Sequence, residues 1–263
     1  MRWVIFMGGR ARDLPFGGAC LWELPGDALG AKRARGLVGA AMAEVGFGAS
    51  VVEDAVLAVS ELATNAYRHA GDSLELWVWA RTRPRAELVV SVFDGNREAV
   101  PEVHGGDLLD ESGKGLGIVA AVASGWGCHL SRSRLSHAPV LGKVAWFVLP
   151  LPERWPRPPW RVSPGVAARR LVDALAARGL NAEWSSDSAG VSIVSVDGIN
   201  VWVCPLTFSW RGRTGVYARH PLIDLQEAAE RVVQAVEAGV SPTGDRGGGC
   251  DAPGAGGAVG SWP

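Results

Sequence analysis

Apolar residues return along the first half of the chain with two different periods. From about Ala28 to Val45, and again from Ser50 to Ala70, they recur every three to four residues, as on the buried stripe of a helix. In the second of these helices Val52, Val56, Val59, Ala63 and Ala66 make the apolar face, while Asp54, Glu61, Asn65 and Arg68 gather on the opposite one. Ser50 and Glu53 have the spacing of a capping box that would start this helix, and Gly71 is placed to end it. Apolar runs of strand length occur at LWEL (Leu21 to Leu24), LELWVWA (Leu74 to Ala80) and AELVVSVFD (Ala86 to Asp94). A Gly-rich loop from Asn96 to Lys114 then leads into GKGLGIVAAVASG, a loop running into a helix, and WGCHLSRS and GKVAWFVLP close the series as two strands. The order strand, two helices, two strands, helix, two strands predicts an α+β domain over residues 21–150. It would be a two-layer α/β sandwich with the helices on one face of a mixed, largely antiparallel sheet.

The pattern breaks at PLPERWPRPPWRVSP, where six prolines remove backbone donors and favour an extended path. Residues 151–163 therefore read as a linker. Beyond it, Ser163 and Pro164 begin a helix that Gly179 stops, and AEWSS, GVSIVSV and INVWVCPL read as strands. Asp197-Gly198 is a hairpin signal between the last two. TGVYARH suggests another strand and Leu222 to Ala238 an amphipathic helix, making residues 164–239 a second, smaller α+β domain. Trp184, Trp202 and Trp210 on its strands are candidates for either core or partner surface. Residues 240–263 have too few large apolar side chains to offset ordering entropy and are expected to be disordered. Residues 1–20 read as a loosely ordered leader. Limited proteolysis is expected to release two stable fragments.

Composition narrows the classes. With 263 residues, 48% hydrophobic and 20% charged, the chain is globular and long enough for two modest domains. Its formal net charge of -1 gives no general attraction to nucleic acid or to an anionic membrane, so neither is expected as a direct partner. Cys20, Cys128, Cys204 and Cys250 stand singly, which argues against a structural zinc site or a disulfide framework. The short apolar run at the N-terminus is interrupted by Gly8, Gly9 and Arg10 before it reaches signal-peptide or spanning length, and a cytoplasmic location is expected.

Glu61 and Asn65 lie one helical turn apart, a carboxylate and a carboxamide together. Magnesium takes oxygen ligands, often only one or two from the protein with the rest from water and substrate phosphates. Asn65 supplies one such oxygen, and Glu61 is suited to hold a coordinated or attacking water. Gly113, Gly115 and Gly117, near a helix N-terminus, offer backbone N–H groups to phosphates. Asp94, at the end of a strand, is suited to accept from the exocyclic amine of a purine. Together these parts describe a nucleotide site.

ELATNAYRHA, VFDG and GKGLGIV, in that order, resemble the three sequence boxes of the Bergerat-fold ATPase and kinase superfamily that includes histidine kinases and gyrase. Within it, the stretch from about Leu21 to Pro150 is similar to the anti-sigma-factor serine/threonine kinases. The resemblance implies Glu61 as the catalytic or water-positioning acid, Asn65 as the magnesium ligand and Asp94 as the adenine acceptor. It implies Gly113, Gly115 and Gly117 as phosphate-site glycines, with Lys114 touching the terminal phosphate. Its cofactors would be ATP and Mg2+, and its partners a sigma factor or an anti-anti-sigma-type antagonist, with homodimerisation a further possibility. The second box departs from the family pattern, reading Asp94, Gly95, Asn96 where a glycine is usual two residues after the aspartate. Two functions follow: a magnesium-dependent kinase acting on a protein partner, or a non-catalytic nucleotide-binding module that sequesters one.

Overall fold

The structure, a computed structural model, describes residues 9–70, 73–98, 111–156, 162–188, 190–212 and 215–239. Five strands, β1 (Ala19–Leu24), β2 (Leu74–Arg81), β3 (Glu87–Asp94), β4 (Gly125–Arg132) and β5 (Leu141–Pro150), form one sheet in the order β1-β2-β3-β5-β4. All its described pairings are antiparallel, where a mixed sheet had been expected. The reason is topological. The single helix between β3 and β4 makes those strands run the same way, but β5 inserts between them and opposes both.

Strand alternation sorts the side chains of this sheet. Leu76, Val78, Leu88, Val90, Val92, Phe147 and Leu149 face the helices α1 (Leu29–Glu44), α2 (Ala49–Ala70) and α3 (Glu111–Val122), and share a core with Val38, Met42, Val59, Leu62, Leu116 and Val119. Full burial of such side chains contributes about 1.5–3 kcal/mol each. Helix α2 starts at Ala49, with the Val52 N–H donating to Gly48 O, so Ser50 lies inside the first turn instead of capping it.

The segment ahead of β1 is more structured than a loose leader. Ala11–Phe16 forms a 3-10 helix that Gly17 ends in the left-handed region at φ 74°, and its Leu14 is buried in the core. After β5, Trp155 also packs into that core, edge-on to Phe47 at 6.3 Å between ring centroids. The rest of the proline-rich stretch, at 157–161, and the tail at 240–263 lie outside the described residues.

The C-terminal unit opens with α4 (Pro164–Ala176), whose Pro164 takes the first helical position after Ser163. Its strands β6 (Ala182–Ser186), β7 (Ser192–Val196), β8 (Ile199–Val203), β9 (Thr207–Arg211) and β10 (Tyr217–Pro221) form an antiparallel meander in sequence order. Asp197 and Gly198 both have positive φ, 45° and 78°, as the tight β7–β8 turn requires. Strand β9 was not foreseen. Trp210 on it is core, whereas Trp184 and Trp202 are exposed.

Helix α5 (Leu225–Ala238) belongs to both units. Ala228, Ala229, Val232, Val233 and Val236 join the core of the second sheet. Its acidic residues turn the other way, onto the face of the first sheet that carries Trp77, Trp79, Val89, Phe93, Val144 and Val148. There Glu227 accepts from the Trp79 indole at 3.0 Å and pairs with Arg81 at 3.1 Å. Glu230 pairs with Arg178 at 2.6 Å and Arg134 at 3.1 Å, and accepts from the Ser131 hydroxyl at 2.7 Å. Glu237 pairs with Arg132 and Arg97, each at 2.6 Å. Burial opposes the charge on Glu230, but Arg178, the His129 ring and Arg134 outweigh it and hold that carboxyl well below its usual range. Burial, with Arg178 nearby, lowers Arg134 to about 9. The first sheet is thus covered on both faces. No helix among the described residues is long and apolar enough to cross a membrane.

Candidate functional site

Helix α2 carries Glu61 and Asn65 on a half-buried flank, not on an open solvent face. The flank faces α3. At Gly115 an added Cβ would lie 2.6 Å from Glu61 Oε2 and 3.7 Å from its Cβ, so the absence of a side chain there is what lets α3 approach the carboxylate. On the neighbouring turn, the Thr64 hydroxyl donates to Ser60 O at 2.7 Å and Arg35 to Ser60 Oγ at 2.8 Å, fixing this part of α2 against α1.

Gly113, Lys114, Gly115 and Gly117 all lie within α3, not in a loop ahead of it. Gly113 and Lys114 lie near its described start, the end at which an α-helix leaves its first backbone N–H groups without partners of its own. The side chain of Lys114 is outside the described residues, as is most of the Gly-rich stretch, 99–110. Gly117 is exposed, and a Cβ there would meet nothing within 4 Å.

Asp94 ends β3 on the helix side of the sheet, in register with Leu88, Val90 and Val92. Its cross-strand partner on β5 is Lys143, whose Nζ donates to Asp94 Oδ1 at 2.6 Å and to Asn96 O at 2.7 Å. The Asn96 N–H also donates to Oδ1, at 2.9 Å, and its amide nitrogen donates to His69 O near the end of α2 at 2.7 Å. The two charged groups are almost wholly enclosed, Asp94 at 2% and Lys143 at 3% exposure. Burial pushes the Asp94 carboxyl above its usual range despite the Lys143 ammonium beside it. Gly142 is obligatory for this packing, because a Cβ there would collide with the Asp94 carbonyl and the Phe93 ring.

Lys143 and Asn96 escaped the sequence reading. A signal existed in GKVAWFVLP, where period-two alternation puts Lys143 on the same side as Ala145, Phe147 and Leu149, a cation on a buried face that needs a partner.

The donor set suits magnesium in kind. Glu61 and Asn65 offer hard oxygen atoms one turn apart, and the Gly115 cradle brings a helix N-terminal region beside them. Among the described residues no three His, Cys, Asp or Glu side chains gather as a metal cage, so such an ion would draw most of its ligands from phosphate and water. A separate small cavity, lined by Trp79, Arg81, His129, Trp146, Glu227 and Glu230, lies between the first sheet and α5. It is on the opposite side of the sheet from Glu61, and its ionic groups are already paired with one another. Compared with models of known protein families and with curated proteins, the chain matches none of them.

Proposed function

We propose that residues 21–150 form a two-layer nucleotide-binding domain of the Bergerat type, and that the protein is an ATP-binding, anti-sigma-factor-like regulator that phosphorylates serine or threonine on a protein partner. The observation that supports this most is the contact of Gly115 with the Glu61 carboxylate, because it joins two motifs that are far apart in sequence. Asp94, on the same side of the same sheet, adds the third.

Each residue then has a task. Asn65 holds Mg2+ through its carboxamide oxygen, and the ion, when bound, neutralises charge on the phosphates. The N–H groups of the first turn of α3 attract the phosphate oxygens, and Lys114 adds a positive charge at that end. Glu61 orients the acceptor hydroxyl or a water, and Asp94 accepts from the adenine amine. Phosphoryl transfer asks mainly for positioning and charge stabilisation, which such a set can supply.

A second reading, a non-catalytic module that binds a sigma factor or its antagonist, is favoured by one specific observation: the Asp94 carboxylate is already engaged by Lys143. Calorimetry on the full chain with Mg-ATP, Mg-GTP and Mg-CTP, followed by transfer of labelled γ-phosphate to native partner proteins, separates the two. For the kinase, Asn65→Ala lowers both nucleotide affinity and turnover, whereas Glu61→Ala spares affinity and lowers turnover, since only transition-state interactions raise the rate. ATP binding with no labelled partner, and a Glu61→Ala variant that signals normally, would leave the binding module.

A further inference from the structure

The nucleotide reading above treats Asp94 as the acceptor for a base, yet the carboxylate is held by the protein's own cation. We propose that Lys143 is an internal competitor for the exocyclic amine of the base, a latch that sets how tightly the site takes an adenine nucleotide. This inference rests on that reading.

Three features carry it. First, Lys143 and Asp94 are cross-strand partners on β5 and β3, both on the helix side of the sheet, so the ammonium reaches the carboxylate with no rearrangement of the backbone. Second, the bond is charge-assisted, 2.6 Å long and almost fully enclosed. Such a bond is stronger than one from a neutral amine, so the base amine does not displace the ammonium on equal terms. Third, the same ammonium donates to Asn96 O, and Asn96 is in turn bonded to Asp94 Oδ1 and to His69 O. The ammonium thus fixes the chain leaving β3, which the Asn96 side chain ties to the end of α2. When Lys143 leaves Asp94, the carboxylate becomes accessible to a ligand amine and the segment from Gly95 to Glu98 loses one of its ties.

The alternative role for Lys143 is to orient Asp94 for the ligand, with the amine using the other carboxylate oxygen. The two roles predict opposite signs. In full-length protein, Lys143→Ala vacates the position and Lys143→Gln keeps a neutral donor to Asp94. If Lys143 is a latch, calorimetry finds Mg-ATP bound about tenfold more tightly by both variants than by wild type, as expected when a charge-assisted competitor is removed. The preference for ATP over GTP also widens, because the freed acceptor reads the amine. Unchanged or weaker ATP binding in the variants, beside measurable binding by wild type, overturns the latch and leaves the nucleotide site standing. No binding of any nucleotide by wild type or either variant overturns the nucleotide site and the latch with it. Urea unfolding of each variant establishes that the comparison is between folded proteins, and Lys143→Gln decides the sign if Lys143→Ala does not fold.

Discussion

Gly115 and Gly117 stand two residues apart in α3, yet a methyl group added to each meets different surroundings. At Gly117 it enters open space, so Gly117→Ala should stabilise the helix by up to about 1 kcal/mol, the usual difference between glycine and alanine inside a helix. At Gly115 the same gain in propensity is set against the tip of Glu61, which must swing aside. Gly115→Ala should leave the urea midpoint nearly unchanged while lowering phosphate transfer, whereas Gly117→Ala raises the midpoint. Equal effects of the two on transfer would mean that the approach of α3 to Glu61 has no bearing on function. The glycine-rich motif was legible in the sequence, but its division into one glycine that contacts and one that does not was not, since this depends on how two helices meet.

At the scale of elements, α5 shows where sequence patterning succeeds and where it falls short. The apolar stripe of Ala228, Val232 and Val236 marks it as amphipathic, and that stripe packs on the second sheet. A polar face ordinarily implies solvent, but here Glu227, Glu230 and Glu237 are buried against Arg81, Arg134, Arg178 and Arg132. Those arginines are scattered over about a hundred residues of sequence, and no local period announces their meeting. The order of strands and helices in the first sheet was readable because each element carries its own period, whereas β9 was not, because TFSWR is only five residues long, too short for the alternation of Phe208 and Trp210 with polar neighbours to stand out. The Glu61/Asn65 flank was placed on the right helix, though its half-burial reflects α3 and not α2 itself.

A buried carboxylate shared by two arginines is costly to remove. Glu230→Ala leaves Arg134 and Arg178 enclosed without it, and should destabilise the protein by about 3–5 kcal/mol in urea unfolding. The pH dependence has a definite sign. Because the folded-state pKa of Glu230 lies well below 4.5, its contribution is complete above the unfolded value and declines as pH falls through the folded one. The wild type should therefore lose stability on acidification below about pH 4.5, and the variant should lose less over the same range. A loss of under about 1 kcal/mol would show that the arginines find other partners.

On the scale of the whole molecule, the first sheet is incomplete without the C-terminal unit. Truncation after residue 150 would expose Trp77, Trp79, Phe93 and Val148 together with the arginines that α5 pairs. Two freely separable proteolytic fragments are therefore not the expected outcome. Full-length protein should unfold in one cooperative transition, and the truncated form should aggregate or show exposed-surface dye binding. A soluble, cooperatively folding fragment of residues 9–150 would mean that α5 contributes little to the first sheet.

Helix α5 is also synthesised long after the sheet it covers. A ribosome that has just finished β5 must add almost ninety more residues before the helix that shields the back of the first sheet exists, a delay of roughly ten seconds at ordinary elongation rates. Through that interval Trp77 and its neighbours stay available to chaperones, and Arg97, three residues beyond Asp94, waits for Glu237. A chain interrupted before residue 237 lacks this tie beside the candidate base acceptor. Synthesis through α5 is thereby coupled to finishing the surroundings of the candidate site, so that products that stop short of it are marked by their own exposed tryptophans.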